Sequence, residues 1–152
     1  MIDDDDDSHL FVSGKIAFQA FLTTHKIIQN IRNQTQRTVI FDEIRTNLGG
    51  AYDGHTGIFT APVAGTYVFS LTIGIYTGDS HPLEGYAYLI KNDQTQMTLL
   101  ADTHAQAGQN DIATGTVVVV LNAGDKLHVE SSNNNLYIVG QHLSFFSGFL
   151  LS

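Results

Sequence analysis

Two stretches of the chain carry side chains at spacings that could do chemistry. Gly78-Asp79-Ser80-His81-Pro82 approaches a nucleophile turn. Such a turn needs a second glycine, where Pro82 stands, and a strand-to-helix setting that lifts the serine off the backbone. A proline-ended loop after an apolar strand gives neither, so the segment reads as a surface loop. His128-Val129-Glu130 has the His-x-Glu spacing of zinc deaminases, whose remaining metal ligands include cysteines; the chain has none. The seven histidines, at 9, 25, 55, 81, 104, 128 and 142, show no ligand spacing such as His-x-x-x-His. They are expected at the surface or in loops, where their titration near neutrality could tune an assembly or ligand contact. No enzyme motif remains, and the chain is expected to bind rather than catalyse.

The polar loops suit recognition. Tyr76-Thr77-Gly78-Asp79-Ser80-His81, Ser131-Ser132-Asn133-Asn134-Asn135-Leu136-Tyr137 and Gln141-His142 supply amides, hydroxyls, a carboxylate and aromatic faces. Amides and carboxylates pair with adjacent sugar hydroxyls, and a ring packs on the apolar sugar face. On this ground Tyr76, Asp79, His81, Asn134, Asn135, Tyr137 and His142 are the candidate ligand-binding residues. The same residue types also serve simply to turn the chain. No arginine lies in these loops to fork onto a sugar carboxylate, so an acidic sugar would fall to His, Asn, Tyr or backbone N–H groups.

The elements that must position these loops follow from composition and period. The 152 residues fit one domain, and 43% hydrophobic against 14% charged residues, with nine Phe, six Tyr and fourteen Gly, favours an all-β fold. Net charge is −8, but five of the fifteen acids are the run Asp3 to Asp7. Five like charges in succession cannot bury, so residues 1–13 are expected to form an acidic flexible arm ahead of a globular domain at 14–152; calcium gathering is the run's other reading. No arginine follows Arg45, and only Lys91 and Lys126 lie beyond it, which argues against nucleic acid as a partner. Absence of cysteine removes disulfides and thiolate chemistry and leaves the compartment unread. The start has no signal-peptide pattern, and no apolar run is long enough to span a bilayer. Asn33-Gln34-Thr35 is the glycosylation acceptor.

Alternation predicts strands. Ile16, Phe18, Ala20 and Leu22 share one apolar face, and Tyr67, Phe69, Leu71, Ile73 and Ile75 share another within the clearest strand, Gly65 to Tyr76. Further strands are expected at 85–91, 96–101, 112–121, 126–130 and 144–151, with turn chemistry between Asn47 and Gly57 and no helix of useful length. Val117-Val118-Val119-Val120-Leu121 is apolar on both faces, so its outer face is expected to be covered, preferably by another subunit.

The middle of the chain resembles the signature of the C1q-domain family, of the C1q/TNF-like kind. It reads Phe41, five residues, Asn47, four, Tyr52, six, Phe59, five, then Gly65-x-Tyr67-x-Phe69, with Leu71 in place of a final aromatic. Ile16-Ala17-Phe18-x-Ala20, Ala61-Pro62-x-Ala64-Gly65, Ala113-Thr114-Gly115-Thr116, Asn122-Ala123-Gly124-Asp125-Lys126 and Phe146-Ser147-Gly148-Phe149-Leu150-Leu151 are similar to other parts of that family. The likeness spans residues 14 to 152.

The resemblance implies a ten-stranded jelly-roll β-sandwich that assembles as a homotrimer. Tyr67, Phe69, Phe59 and Phe149 are expected between its sheets. No Gly-X-Y repeat precedes the domain in this sequence, so the chain looks like the stalkless secreted C1q-domain proteins of molluscs. That implies an extracellular pattern-recognition lectin binding microbial polysaccharide, lipopolysaccharide or sialylated glycans, without membrane insertion. The alternative is a trimeric protein ligand or matrix protein with no sugar site. Calcium is the one cofactor the resemblance admits, on Asp111 with Asp102 as its shifted companion.

Overall fold

The computed structural model describes residues 15–28, 38–77, 84–102, 109–132 and 136–152. The acidic arm, the Asn33 acceptor and the loop residues Asp79, His81, Asn134 and Asn135 lie outside the described residues. Within them the chain is all strand and turn: β1 Ala17–Phe21, β2 Lys26–Ile28, β3 Glu43–Leu48, β4 Tyr52–Asp53, β5 Ile58–Thr60, β6 Gly65–Thr77, β7 Glu84–Lys91, β8 Gln94–Asp102, β9 Gln109–Leu121, β10 Lys126–Ser131, β11 Leu136–Ile138 and β12 Phe145–Leu150.

These form a two-layer jelly roll. One sheet runs β2-β11-β6-β12-β1-β3 with β9 on the other side of β6, and the second runs β4-β5-β10-β7-β8. Every pairing is antiparallel. The 13-residue β6 organises the first sheet, pairing along its whole length with β9, through Tyr67 to Thr72 with β12, and at Ile75 and Tyr76 with β11. The expected strands are all present. Five segments were not among the expected strands: β3, whose mostly exposed residues show no apolar alternation, β2 and β11, of three residues each, and β4 and β5 inside the turn-rich passage.

The inward faces meet as the alternation requires. Ile16, Phe18, Ala20 and Leu22 of the first strand are buried, as are Tyr67, Phe69, Leu71, Ile73 and Ile75 of β6. Phe18 is the hub of an aromatic cluster that joins the sheets. Its ring stacks on Tyr52 at 4.8 Å and on Phe59 at 5.3 Å from the second sheet, and meets Phe146 edge-on at 4.9 Å within its own. Phe69 closes the cluster against Phe59 at 5.2 Å and Phe146 at 6.1 Å. Each such pair adds about 0.5–1.5 kcal/mol beyond its area burial.

Phe149 departs from expectation: it is 45% exposed on the outer face of β12. Phe146 and Gly148 hold the inward positions of that strand, and a single-residue step in a strand reverses the face. Gly148 is small because the cluster fills its space. A Cβ there would lie 2.5 Å from the Phe69 ring and 2.9 Å from the Phe18 ring, both buried and unable to withdraw. Gly148→Ala should therefore destabilise the domain by about 1–3 kcal/mol, and thermal unfolding should show about 2–4 °C of lost Tm for each kcal/mol. An unchanged Tm would mean that the rings have room to move.

Candidate ligand-binding site

Tyr76 and Tyr137 come together. They are direct cross-strand partners of β6 and β11, with rings 5.5 Å apart in an edge-to-face arrangement. β6 runs into the loop carrying Asp79 and His81, and β11 leads out of the loop carrying Asn134 and Asn135. The tyrosine pair therefore stands where both polar loops join the sheet. Two neighbours extend it along the same row: Ile27, 46% exposed, pairs with Tyr137 across β2, and Asn110 pairs with Tyr76 across β9.

His25 completes the cluster. Its ring lies 5.2 Å from that of Tyr137, and its Nδ1 accepts the Gly140 N–H at 2.9 Å. With Nδ1 accepting, the neutral ring carries its proton on Nε2 and presents a donor. Gly140 makes this contact because a Cβ would overlap the Thr24 backbone. Sequence reading missed His25, Ile27 and Asn110, since strand register, not loop composition, brings them to the tyrosines.

His142 goes elsewhere. Its Nε2 bonds to Glu43 and lies 3.4 Å from Arg45 Nη2, while Arg45 itself pairs with Glu43 at 3.3 Å and covers the Phe21 ring at 5.1 Å. The tertiary structure thus sets an arginine beside one predicted residue, although the polar loops contain none. That guanidinium is already committed to Glu43 and Phe21.

Asp102 and Asp111, on successive strands β8 and β9, are joined by a hydrogen bond from the Asp102 N–H to Asp111 Oδ2 at 2.7 Å. Among the described residues no group of three or more His, Asp or Glu side chains is arranged to hold a metal. A cation here would need further oxygen ligands beyond these two carboxylates.

An open groove of about 590 Å³ lies beside β3 and β4, lined by Asp42, Ile44, Tyr52, Asp53 and His55. Its walls are tied to the core. Tyr52 donates its hydroxyl to the Phe41 carbonyl at 2.8 Å and receives the Phe41 N–H at 3.1 Å, and burial pushes its pKa well above the ordinary phenol value. Asn47 clamps the Tyr52 backbone through both its amide groups.

The outer face of the first sheet carries a continuous apolar row, Val118–Val68–Phe149–Ala17–Leu48, in register across β9, β6, β12, β1 and β3. Val118 is 61% exposed, and Val120, on the next outward position, is 69% exposed. The outer face of the two-faced apolar strand is thus left uncovered by the described residues. This row crosses β6 at Val68, eight residues and about 27 Å from Tyr76, so apolar face and tyrosine cluster occupy different ends of the sheet.

This architecture is that of a C1q/TNF-type jelly roll. The fold matches the tumour necrosis factor Eiger of S. frugiperda (TM-score 0.74, 15% identity, 91% of this chain and 94% of that one). It also matches the globular domain of zebrafish complement 1qA (TM-score 0.69, 20% identity, 91% and 98%). Residues 17–151 match the C1q domain, and the chain belongs to the C1q-domain family. It is 33% identical over 137 residues to human and mouse complement C1q tumor necrosis factor-related protein 3, a match covering 90% of this chain and spanning about half (51%) of each relative. Among the described residues no helix is long and apolar enough to cross a membrane.

Acid should expose one strut of this region. Partial burial raises the Asp42 carboxyl, but the Thr23 hydroxyl and the Thr23 N–H at 3.1 Å outweigh it and hold the pKa below its usual 3.8. A carboxylate depressed on folding stabilises fully above its unfolded pKa and loses that contribution as pH falls through the folded one. Below pH 3.8 the stability of the protein should decline more steeply than that of Asp42→Asn, which lacks the titrating group. Parallel acid-unfolding curves would show that Asp42 contributes nothing.

Proposed function

We propose that this is an extracellular C1q-domain recognition protein that binds carbohydrate as a homotrimer and does not catalyse. The observation that carries the reading is the tyrosine pair Tyr76–Tyr137, flanked by His25 and Asn110 at the root of two amide- and hydroxyl-rich loops. Ring faces take the apolar side of a pyranose, while Asn and imidazole N–H groups take its hydroxyls. Asp79, His81, Asn134 and Asn135 supply further polar contacts from the loops, with His142 at the margin. Microbial polysaccharide, lipopolysaccharide and sialylated glycans are the ligand classes, and a sialyl carboxylate would be read by imidazole and amide donors.

Family membership and the apolar row support the trimer. Covering Val118, Val120, Phe149 and Leu48 with a neighbour removes from water the contiguous apolar surface that a monomer would leave exposed. Three copies then offer three sites, and avidity makes weak individual sites useful. Asp111 and Asp102 are the candidate calcium ligands in that assembly, with carboxylates from neighbouring chains completing the oxygen set.

Light scattering of the purified protein at micromolar concentration should give a trimer mass, and Val118→Asp with Val120→Asp should give a folded monomer. A monomeric wild type would end the assembly reading. Tyr137→Ala should lower glycan-array binding by about tenfold or more, the loss of one stacking contact with its hydrogen bonds, while leaving the trimer intact. A chelator that abolishes binding places calcium in the site, and unchanged binding removes Asp102 and Asp111 from it. A blank array with a co-purifying protein partner would instead favour a trimeric protein ligand without a sugar site.

A further inference from the structure

The outer face of the second sheet carries a different set of groups, which meets the polar loops only at its edge, where Tyr86 donates its N–H to Ser132 Oγ at 3.0 Å. Along β7 the inward positions are Gly85, Ala87 and Leu89, all buried, so Tyr86 and Tyr88 both turn outward. Their rings are parallel within 4° with centroids 6.3 Å apart, and both remain partly exposed. Tyr88 sits between Glu130 of β10 and Thr98 of β8, and Tyr86 stands opposite Leu100, itself 49% exposed. His128 Nε2 bonds to Glu130 Oε1 at 2.9 Å, holding that carboxylate beside the Tyr88 position. The His-x-Glu spacing, which lacks metal partners, is therefore a cross-strand neighbour of an aromatic pair.

We infer that Tyr86 and Tyr88, with Glu130 and His128, form a second carbohydrate site that takes an uncharged oligosaccharide of at least two sugar units. Two rings in succession on a strand offer two apolar surfaces for the C–H faces of adjacent pyranoses. Glu130 accepts from sugar hydroxyls, His128 fixes its orientation, and the Thr98 hydroxyl donates or accepts. The charge on this face selects the ligand. Beyond Glu130 it carries Glu84, exposed at the start of β7, and the cation Lys126 stands at its far end, opposite Thr60. Sulfated and sialylated glycans meet net repulsion there, and neutral ones do not. β7 is hydrogen-bonded on both sides, to β10 and β8, so the platform is rigid before the ligand arrives.

The test is an NMR and calorimetric titration of the intact protein with cellotetraose, chitotetraose and mannotetraose, against sulfated cellotetraose and the monosaccharides. At least one neutral tetrasaccharide should bind at millimolar ligand or below, more tightly than its monosaccharide and than the sulfated form. Tyr86→Ala with Tyr88→Ala should raise its Kd about tenfold. Tyr86→Phe with Tyr88→Phe, which keeps both rings, should stay near wild type, and Tyr137→Ala should leave this affinity unchanged. Should the double alanine variant unfold, Glu130→Gln reads the same site and should raise Kd several-fold in a folded protein. No binding by any neutral tetrasaccharide, or equal binding of the sulfated form, would overturn the inference. Binding lost only in Tyr137→Ala would also overturn it and assign the ligand to the loop site.

Discussion

The aromatic contact between the two sheets is what the rest of the structure depends on. Phe18, Phe69 and Phe146 come from one sheet and Tyr52 and Phe59 from the other, and their rings meet at 4.8 to 6.4 Å around Phe18. No backbone ladder joins the two layers of a sandwich, so side-chain packing does most of the work of holding them together. Large rings do this with few residues, and each strand can then spend its other positions on the outer faces. The buried Tyr52 hydroxyl, satisfied twice by Phe41, ties the short β4 hairpin into the same cluster.

With the layers pinned, the outer faces become separate working surfaces. The first sheet presents an apolar row through Val118, Val68 and Phe149 at one end and the Tyr76–Tyr137 pair at the other. The second presents Tyr86 and Tyr88 with an acidic surround. One strand alternation generates both kinds of surface. Burying Tyr67, Phe69 and Leu71 on β6 commits Val68 and Ser70 to the outside, and burying Ala87 and Leu89 on β7 commits two tyrosines to it. The surfaces proposed for recognition and assembly therefore need no insertion into the fold.

Charge is distributed in the same economical way. Exposed ion pairs such as Arg45–Glu43 add little to stability, and their value is positional. Arg45 is held over Phe21 and next to His142, and Asp125 is held by the Asn122 N–H and Asn92 at the turn into β10, which sets its carboxyl below the usual range. These contacts fix the ends of strands whose registers place the tyrosines.

The all-β class, the family and most of the core were legible in the sequence. Period-2 alternation of large apolar residues dictates which face is buried wherever a strand shows it, as in β1 and β6. Phe149 was misplaced because four apolar or aromatic residues crowd the last strand, and only the pairing of β12 with β6 decides that Gly148, not Phe149, faces Phe69 and Phe18. The candidate loops were visible as composition, yet His25, Ile27 and Asn110 beside Tyr76 and Tyr137 were not, nor was Arg45 beside His142. These partners lie 34 to 112 residues apart along the chain, as Asn110–Tyr76 and His25–Tyr137 show, and meet in space only through the tertiary fold. Sequence by itself determined what is buried where a strand alternates cleanly, because burial there follows local period, and it failed at Phe149, where apolar residues occupy both faces. Tertiary structure alone decided which outward residues share a surface, because cross-strand register is set by pairings between distant segments that no local pattern encodes.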